Sequence, residues 1–373
     1  MSENRPFIPQ MEPWFGTEEN AEINRYLDEG GWFTEFKRTN QFEAEIAQYT
    51  GAKHCIVVNN GTVSLTVAAL SLDLKPGDEV IVPNYTMIAT PNSVKMLGCV
   101  PVFVDVERKT LCMDIGRAAR AITSRTRALM FVSANGRYPE SGIAAFEKLC
   151  SDRKIHLIED AAQSLGSCYP DGRHIGTAGI VGSFSFSAPK VISTGQGGAL
   201  ITNSDDLAQR IRKLKDFGRT GGGNDLHDSV GYNFKFTELQ ACVGLAQMKK
   251  LAWRVDRKKQ ILKAYKLQLA DCPEVGFFDQ NLGTTTPWFI DALVERRSEL
   301  AAFLKSNGIG TRVMYPPINQ QIAYQIPGDF PVSTRVGLNG LWFPSASQLS
   351  DLQIEYIAAK IRAFFRRFDS EQN

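Results

Sequence analysis

The stretch Gly182-Ser-Phe-Ser-Phe-Ser-Ala-Pro-Lys190-Val-Ile-Ser-Thr-Gly-Gln-Gly-Gly-Ala-Leu200 decides how this chain is read. A strand-like run, GSFSFS, delivers Lys190 into a loop that closes on Gly195, Gly197 and Gly198. Thirty residues upstream, Ile155-His-Leu-Ile-Glu-Asp160 reads as a buried strand ending in two carboxylates and followed by Ala-Ala-Gln163. A lysine able to form a Schiff base and a carboxylate able to keep a pyridinium nitrogen protonated are the minimum equipment of pyridoxal phosphate chemistry.

Outward from this stretch, short apolar runs alternate with helix-like segments. Strands are predicted at Cys55–Val58, Glu79–Val82, Val100–Val104, Ala128–Val132, Ile155–Ile158, Val181–Phe186 and Ala199–Thr202. Helices are predicted between them at 62–73, 88–97, 114–123 and 140–152, and before them at 18–29 and 40–49. The alternation implies an α/β fold with a doubly wound, mainly parallel sheet between two helix layers. Its apolar runs are continuous, as strands buried on both faces require. Residues 204–217 and 236–270 look helical, with 254–270 leading out of the first domain. The pattern then changes to a strand at Pro287–Val294, a helix at Arg297–Asn307, a strand at Gly310–Met314 and a closing helix at Asp351–Phe368. A large α/β domain over 1–250 and a small α+β domain over 251–373 are the expected division.

The 373 residues are 43% hydrophobic and 22% charged, enough apolar content for large cores. Lys and Arg number 42 against 40 Asp and Glu, a net charge of +2 that gives no reason to expect nucleic acid or an acidic membrane. The seven cysteines are scattered without a C-x-x-C pair and read as reduced core residues of a cytosolic protein. The four histidines show no metal-ligand spacing. No signal peptide or membrane span is evident, so a soluble, cytoplasmic protein is expected.

Ligands of open parallel sheets collect beyond the carboxyl ends of the strands. Three segments should converge there: Asn60-Gly61-Thr62, opening a helix whose N–H groups suit a phosphate; Asp160 with Gln163; and Ser185 with Lys190. Each has a plainer reading, as an ordinary helix cap, a capping carboxylate or a solvated loop lysine. The apolar lead-in and the G-Q-G-G tail set Lys190 apart.

Taken together, N-G-T at 60–62, E-D-A-A-Q at 159–163, F-S-F-x-x-x-K at 184–190, T-G-Q-G-G-A at 194–199 and G-Y-N at 231–233 resemble the DegT/DnrJ/EryC1/StrS aminotransferases. These are fold-type-I pyridoxal 5'-phosphate enzymes that aminate keto-sugars, and the likeness runs from about residue 8 to 368. The resemblance implies a fold-type-I aminotransferase with a mainly parallel seven-stranded sheet. Lys190 would be the Schiff-base lysine and proton shuttle, Asp160 the partner of the pyridine nitrogen and Gln163 that of the ring oxygen. Gly61, Thr62 and Ser185 would hold the phosphate. Asn233 would reach the phosphate bound by a neighbouring subunit, making the active unit a homodimer.

The chain departs from the family pattern in four places. Met87, in Pro83-Asn-Tyr-Thr-Met87, stands where an aromatic residue usually stacks on the cofactor, and Tyr85 is the alternative stacker. Gln196 replaces the usual glutamate of the glycine-rich loop. Met314 and Asn319, in Arg312-Val-Met-Tyr-Pro-Pro-Ile-Asn319, replace two histidines. Ser133-Ala-Asn-Gly-Arg-Tyr-Pro139 replaces an L-Y-G-x-P-like loop.

The implied reaction moves an amino group from L-glutamate to a nucleotide-linked keto-sugar, for an amino-deoxysugar of a surface polysaccharide (O-antigen, lipopolysaccharide) or a glycosylated metabolite. Gly30-Gly-Trp-Phe-Thr34 and Gly340-Leu-Trp-Phe-Pro344 are similar to segments of the family's GDP-perosamine synthases, which points to a GDP-linked 4-keto-6-deoxymannose. Trp32, Phe33, Thr34, Tyr85, Tyr315 and Asn319 are candidates for the substrate pocket, the aromatic ones equally readable as interface filling. Arg219 and Lys235 are candidate contacts for carboxylate or diphosphate. The family's 3-dehydratases carry histidine in place of the lysine, so Lys190 speaks against that chemistry. A non-catalytic regulator is disfavoured by the complete lysine–aspartate–phosphate set, and a nicotinamide dehydrogenase by the lack of a G-x-G-x-x-G turn.

Overall fold

A computed structural model describes residues 6–220 and 225–371. Two helices come first, α1 (Thr17–Glu29) and α2 (Lys37–Thr50). The large sheet follows as β1 (His54–Val58), α3 (Gly61–Ser71), β2 (Glu79–Pro83), α4 (Ala89–Lys95), β3 (Val100–Val104), α5 (Ile115–Ala121), β4 (Thr126–Val132), α6 (Ile143–Arg153), β5 (His156–Asp160), β6 (Val181–Ser185) and β7 (Gly198–Thr202). Next come α7 (Asp205–Lys215), α8 (Glu238–Lys249) and α9 (Leu251–Gln268). The chain closes with β8 (Val275–Phe277), β9 (Ile290–Val294), α10 (Arg297–Ser306), β10 (Arg312–Val313), α11 (Pro331–Asn339), β11 (Gly340–Phe343) and α12 (Asp351–Glu371).

The seven strands of the large sheet lie in the order β1-β7-β6-β5-β4-β2-β3. All neighbours are parallel except β7, which runs antiparallel to both β1 and β6. The expected mainly parallel α/β sheet is therefore present. Side chains alternate across each strand and fill two separate cores. Cys55, Val57, Leu129 and Phe131 pack with Phe42 of α2, Phe146 of α6 and Leu245 of α8. Ile56, Val58, Ala128 and Met130 pack on the opposite face with Val67 of α3, Val94 of α4 and Ile211 of α7. That two-sided burial explains why these strands read as unbroken apolar runs.

The second sheet is antiparallel, in the order β10-β11-β9-β8, and buries Ile290, Leu341 and Phe343 against α9, α10 and α12. Three of its elements, β8, α11 and β11, escape the sequence reading because each has fewer than ten residues and little periodicity. The helix predicted over 236–270 is two helices. They meet at Lys250, whose ammonium is drawn into ion pairs with Glu18 and Glu19 of α1. All seven cysteines are unpaired, six of them buried.

One buried titratable group makes folding pH-sensitive. His174 sits between the rings of Tyr49 and Phe184 and is held as the neutral tautomer: Nδ1–H donates to the Ile175 carbonyl, and Nε2 accepts from the Gly166 N–H. Burial pushes its pKa down to about 4. The unfolded chain takes up this proton near pH ~6.5, whereas the folded chain refuses it until about 4. Stability from this site is thus complete above pH ~6.5 and falls as pH drops toward 4, by on the order of 3 kcal/mol. Urea denaturation should show a steeper loss between pH 7 and 4.5 for the wild type than for His174→Gln, which starts less stable.

Candidate active site

The fold brings the ends of β1, β2, β5 and β6 to one edge of the large sheet, where they open into a cleft of about 640 Å³. Asn60, Gly61, Thr62, Thr86, Met87, Asp160, Gln163, Ser185, Lys190, Arg312 and Tyr315 line it. The three segments expected to converge do so.

One end of the cleft is built by the start of α3. The Asn60 side chain caps the Val63 N–H at 2.9 Å, leaving Gly61 and Thr62 at the first helical positions, where backbone N–H groups have no intrahelical acceptor. Gly61 lies so close to β6 that an added Cβ would stand 2.8 Å from Ser185 Cβ and 2.9 Å from its Oγ. Two N–H groups at the positive end of a helix dipole beside a serine hydroxyl form an anion cradle. The glycine is required because only its missing side chain lets α3 approach that serine.

Asp160 and Lys190 occupy the other end. The Thr90 hydroxyl donates to Asp160 Oδ2 at 2.7 Å and the Ala162 N–H to Oδ1 at 3.2 Å, fixing the carboxylate in the cleft wall. Burial raises the Asp160 pKa, and these hydrogen bonds and the Lys190 charge oppose the rise. Burial likewise pushes the amine of the half-buried Lys190 down to about 8; Asp160 opposes this and Arg312 adds to it. A lysine titrating there holds a useful fraction of nucleophilic, proton-accepting amine near neutral pH. Gln163 also lines the cleft, its Oε1 accepting from the Asn135 N–H at 2.6 Å. A carboxylate held in the wall, a reactive lysine and an anion cradle at the far end are the set that pyridoxal phosphate needs, and these residues fit it.

Glu159, one residue before Asp160, points the other way. It is fully buried and accepts from the Gly176, Ala178 and Gly179 N–H groups and the Tyr169 hydroxyl, holding the loop that leads into β6.

Several sequence candidates lie elsewhere. Tyr85 is buried behind the cleft with its ring 5.9 Å from that of Tyr315, so Met87 and not Tyr85 lines the cleft. Asn319 is a buried clamp: its Oδ1 accepts from Asn84 Nδ2, and its N–H donates to Asn84 Oδ1, both at 2.9 Å. Met314 is sealed under Gly340. Trp32, Phe33 and Thr34 are exposed beside α8, where Phe33 accepts from the Glu238 N–H and Thr34 bridges to Thr237. Asn233 is exposed and bridges Asp216; Arg219 pairs with Asp225 and Lys235 with Asp216. None of these residues lines the cleft of its own chain.

Arg312 and Trp288 line the cleft but escape the sequence-based site list. Arg312 is one arginine of a Pro-rich segment, and its residue type alone does not separate a cleft cation from a solvated one. Trp288 precedes a short strand and carries no local signal, since only the packing of β9 brings it under Lys190. Gly61→Ala should weaken uptake of pyridoxal phosphate at least about tenfold and cost about 1–3 kcal/mol of stability, because Ser185 must move. Absorbance titration with the cofactor and thermal melting measure the two effects.

The profile of the DegT/DnrJ/EryC1/StrS aminotransferase family matches residues 14–362. A GDP-perosamine synthase of Vibrio cholerae is 31% identical over 366 residues, covering 96% of this chain and 99% of the relative. One of Escherichia coli O157:H7 is 32% identical over 363 residues, covering 96% and 99%. The crystal structure of S. venezuelae DesV in complex with a ketimine intermediate is 31% identical and superposes with a TM-score of 0.89 over 96% of this chain and 99% of that one. With Lys190, Asp160 and the α3 cradle in one cleft, this chain belongs to the DegT/DnrJ/EryC1/StrS aminotransferase family and is a pyridoxal-phosphate-dependent sugar aminotransferase.

Proposed function

We propose that this enzyme transfers the amino group of L-glutamate to the ketone of a nucleotide-linked sugar, with a GDP-linked 4-keto-6-deoxymannose as the favoured acceptor. The observation that carries the reading is the meeting of Lys190, Asp160 and the α3 N-terminus in one cleft. The acceptor rests on the GDP-perosamine synthases that match nearly the whole chain.

Bound pyridoxal phosphate supplies the electron sink that lets an amino group leave one carbon and join another. The side chains do the rest. The Gly61 and Thr62 N–H groups with the Ser185 hydroxyl would hold the phosphate, and Asp160 would present its carboxylate to the pyridine nitrogen. Gln163 would serve the ring oxygen, and the Met87 thioether would pack on the ring, since both line the cleft. Lys190 Nζ accepts the proton at Cα of the donor and returns it at the sugar carbon. Arg312 is the cation placed to take the donor carboxylate.

The same reading makes the enzyme a cytoplasmic homodimer of two-domain subunits, 1–250 and 251–373. Trp32 and Phe33 are 72% and 59% exposed, large apolar surface of the sort that an interface covers. Asn233, off its own cleft, is free to serve a neighbour's. No helix among the described residues is long and apolar enough to cross a membrane.

Protein mixed with pyridoxal phosphate should turn yellow, and L-glutamate should bleach that band. A protein left colourless would sink the aminotransferase reading. Lys190→Ala should keep the fold, lose the band and retain less than about one-hundredth of the turnover. Arg312→Ala should raise the KM for glutamate about tenfold with kcat within a few-fold, the mark of lost carboxylate binding, in steady-state assays with the keto-sugar.

A further inference from the structure

We propose that Trp288 is the positioning residue of the reactive lysine: its indole N–H fixes the peptide in front of Lys190, and its ring face seats the Lys190 amine. The proposal deepens the aminotransferase reading and rests on it for the importance of Lys190.

The loop from Phe186 to Gly197 contains no helix or strand and carries Gly195 in a left-handed conformation, φ 79°. Left to itself, such a loop would place a long lysine side chain poorly. Side chains from outside the loop hold its backbone. Trp288 Nε1 donates to the Pro189 carbonyl at 2.7 Å, Arg254 Nη1 donates to the Val191 carbonyl at 2.9 Å, and Gln247 Oε1 accepts from the Ser193 N–H at 3.2 Å. The first two bonds bracket Lys190. Trp288 alone among the three also reaches the amine, with Lys190 Nζ 4.2 Å from its ring centroid.

Trp288 is itself immobilised. It is 2% exposed, packs edge-on against Trp342 at 5.8 Å and has its carbonyl held by the buried Lys258 ammonium at 2.7 Å. Indole combines a donor-only N–H with the strongest cation-attracting ring face, so one rigid side chain meets both demands. A ring beneath the amine favours the ammonium form and thus opposes the burial that lowers its pKa. The other charged groups of the cleft wall are Asp160 on β5, which raises the pKa, and Arg312 on β10, which lowers it.

The test compares full-length wild type, Trp288→Phe and Trp288→Leu. Trace labelling of Lys190 with acetic anhydride across pH, read by peptide mass spectrometry on cofactor-free protein, gives the midpoint of the amine. Loss of the ring in Trp288→Leu should lower that midpoint by about half to one unit, while Trp288→Phe should hold it. With cofactor bound, Trp288→Phe should slow the glutamate-driven bleaching about tenfold, for want of the N–H, at an unchanged KM. An unshifted or raised midpoint in Trp288→Leu overturns the proposal. Bleaching at the wild-type rate in Trp288→Phe overturns it as well, whether or not the leucine variant folds. Labelling needs neither cofactor nor substrate, so a failed aminotransferase reading would show separately, as absence of the yellow band in the wild type.

Discussion

The site depends on the way the chain turns between β6 and β7. The connection holds no helix that could carry it across a face of the sheet, and the Phe186 N–H closes it with a 2.8 Å hydrogen bond to the Gly197 carbonyl. It is a wide hairpin, so β7 must run antiparallel to β6. Its loop consequently stays at the edge where β1, β2 and β5 end, and Lys190 is carried to Asp160 and to the start of α3. A helical crossover here would have delivered the next strand parallel and taken the lysine along the helix, away from the cleft.

Two adjacent carboxylates at the end of β5 divide the work by strand geometry. Successive side chains of a strand point to opposite faces. Glu159 is therefore turned into the protein, where three backbone N–H groups meet the cost of burying it. Asp160 is turned to the cleft, with one hydroxyl and one N–H partner, leaving acceptor capacity for a ligand. Exchanging their roles would need a one-residue slip of β5, which would turn Leu157 and Ile158 into each other's cores.

The departures from the family pattern largely fasten the two sheets together. Asn135, at φ 53°, exchanges hydrogen bonds with the Phe289 N–H at 2.6 Å and carbonyl at 2.9 Å, just before β9. Arg137 forms a buried, bidentate pair with Asp291 of β9. Removing one partner of such a pair strands a buried charge, at about 3–5 kcal/mol. Asn84 and Asn319 make a third join. These contacts hold the segment that carries Trp288 against the cleft, and Lys258 secures it from the α9 side.

The large sheet and the cofactor cleft were legible in the residues. Strands buried on both faces must be apolar throughout, and a lysine loop, a carboxylate at a strand end and a glycine at a helix start are local features tied to local chemistry. Where the chain relies on long-range contact, the residues were silent or misleading. Tyr85 and Asn319 looked like cleft residues beside a motif, yet packing and a reciprocal amide pair turn them inward; Arg312 and Trp288 reach the cleft only because the second sheet docks there. The sequence by itself determined the α/β architecture, the lysine and its carboxylate, since strand periodicity and site chemistry are written over a few consecutive residues. Only the tertiary structure decided which side chains complete the cleft, because the direction of a side chain in a short strand or loop is set by partners distant in the sequence.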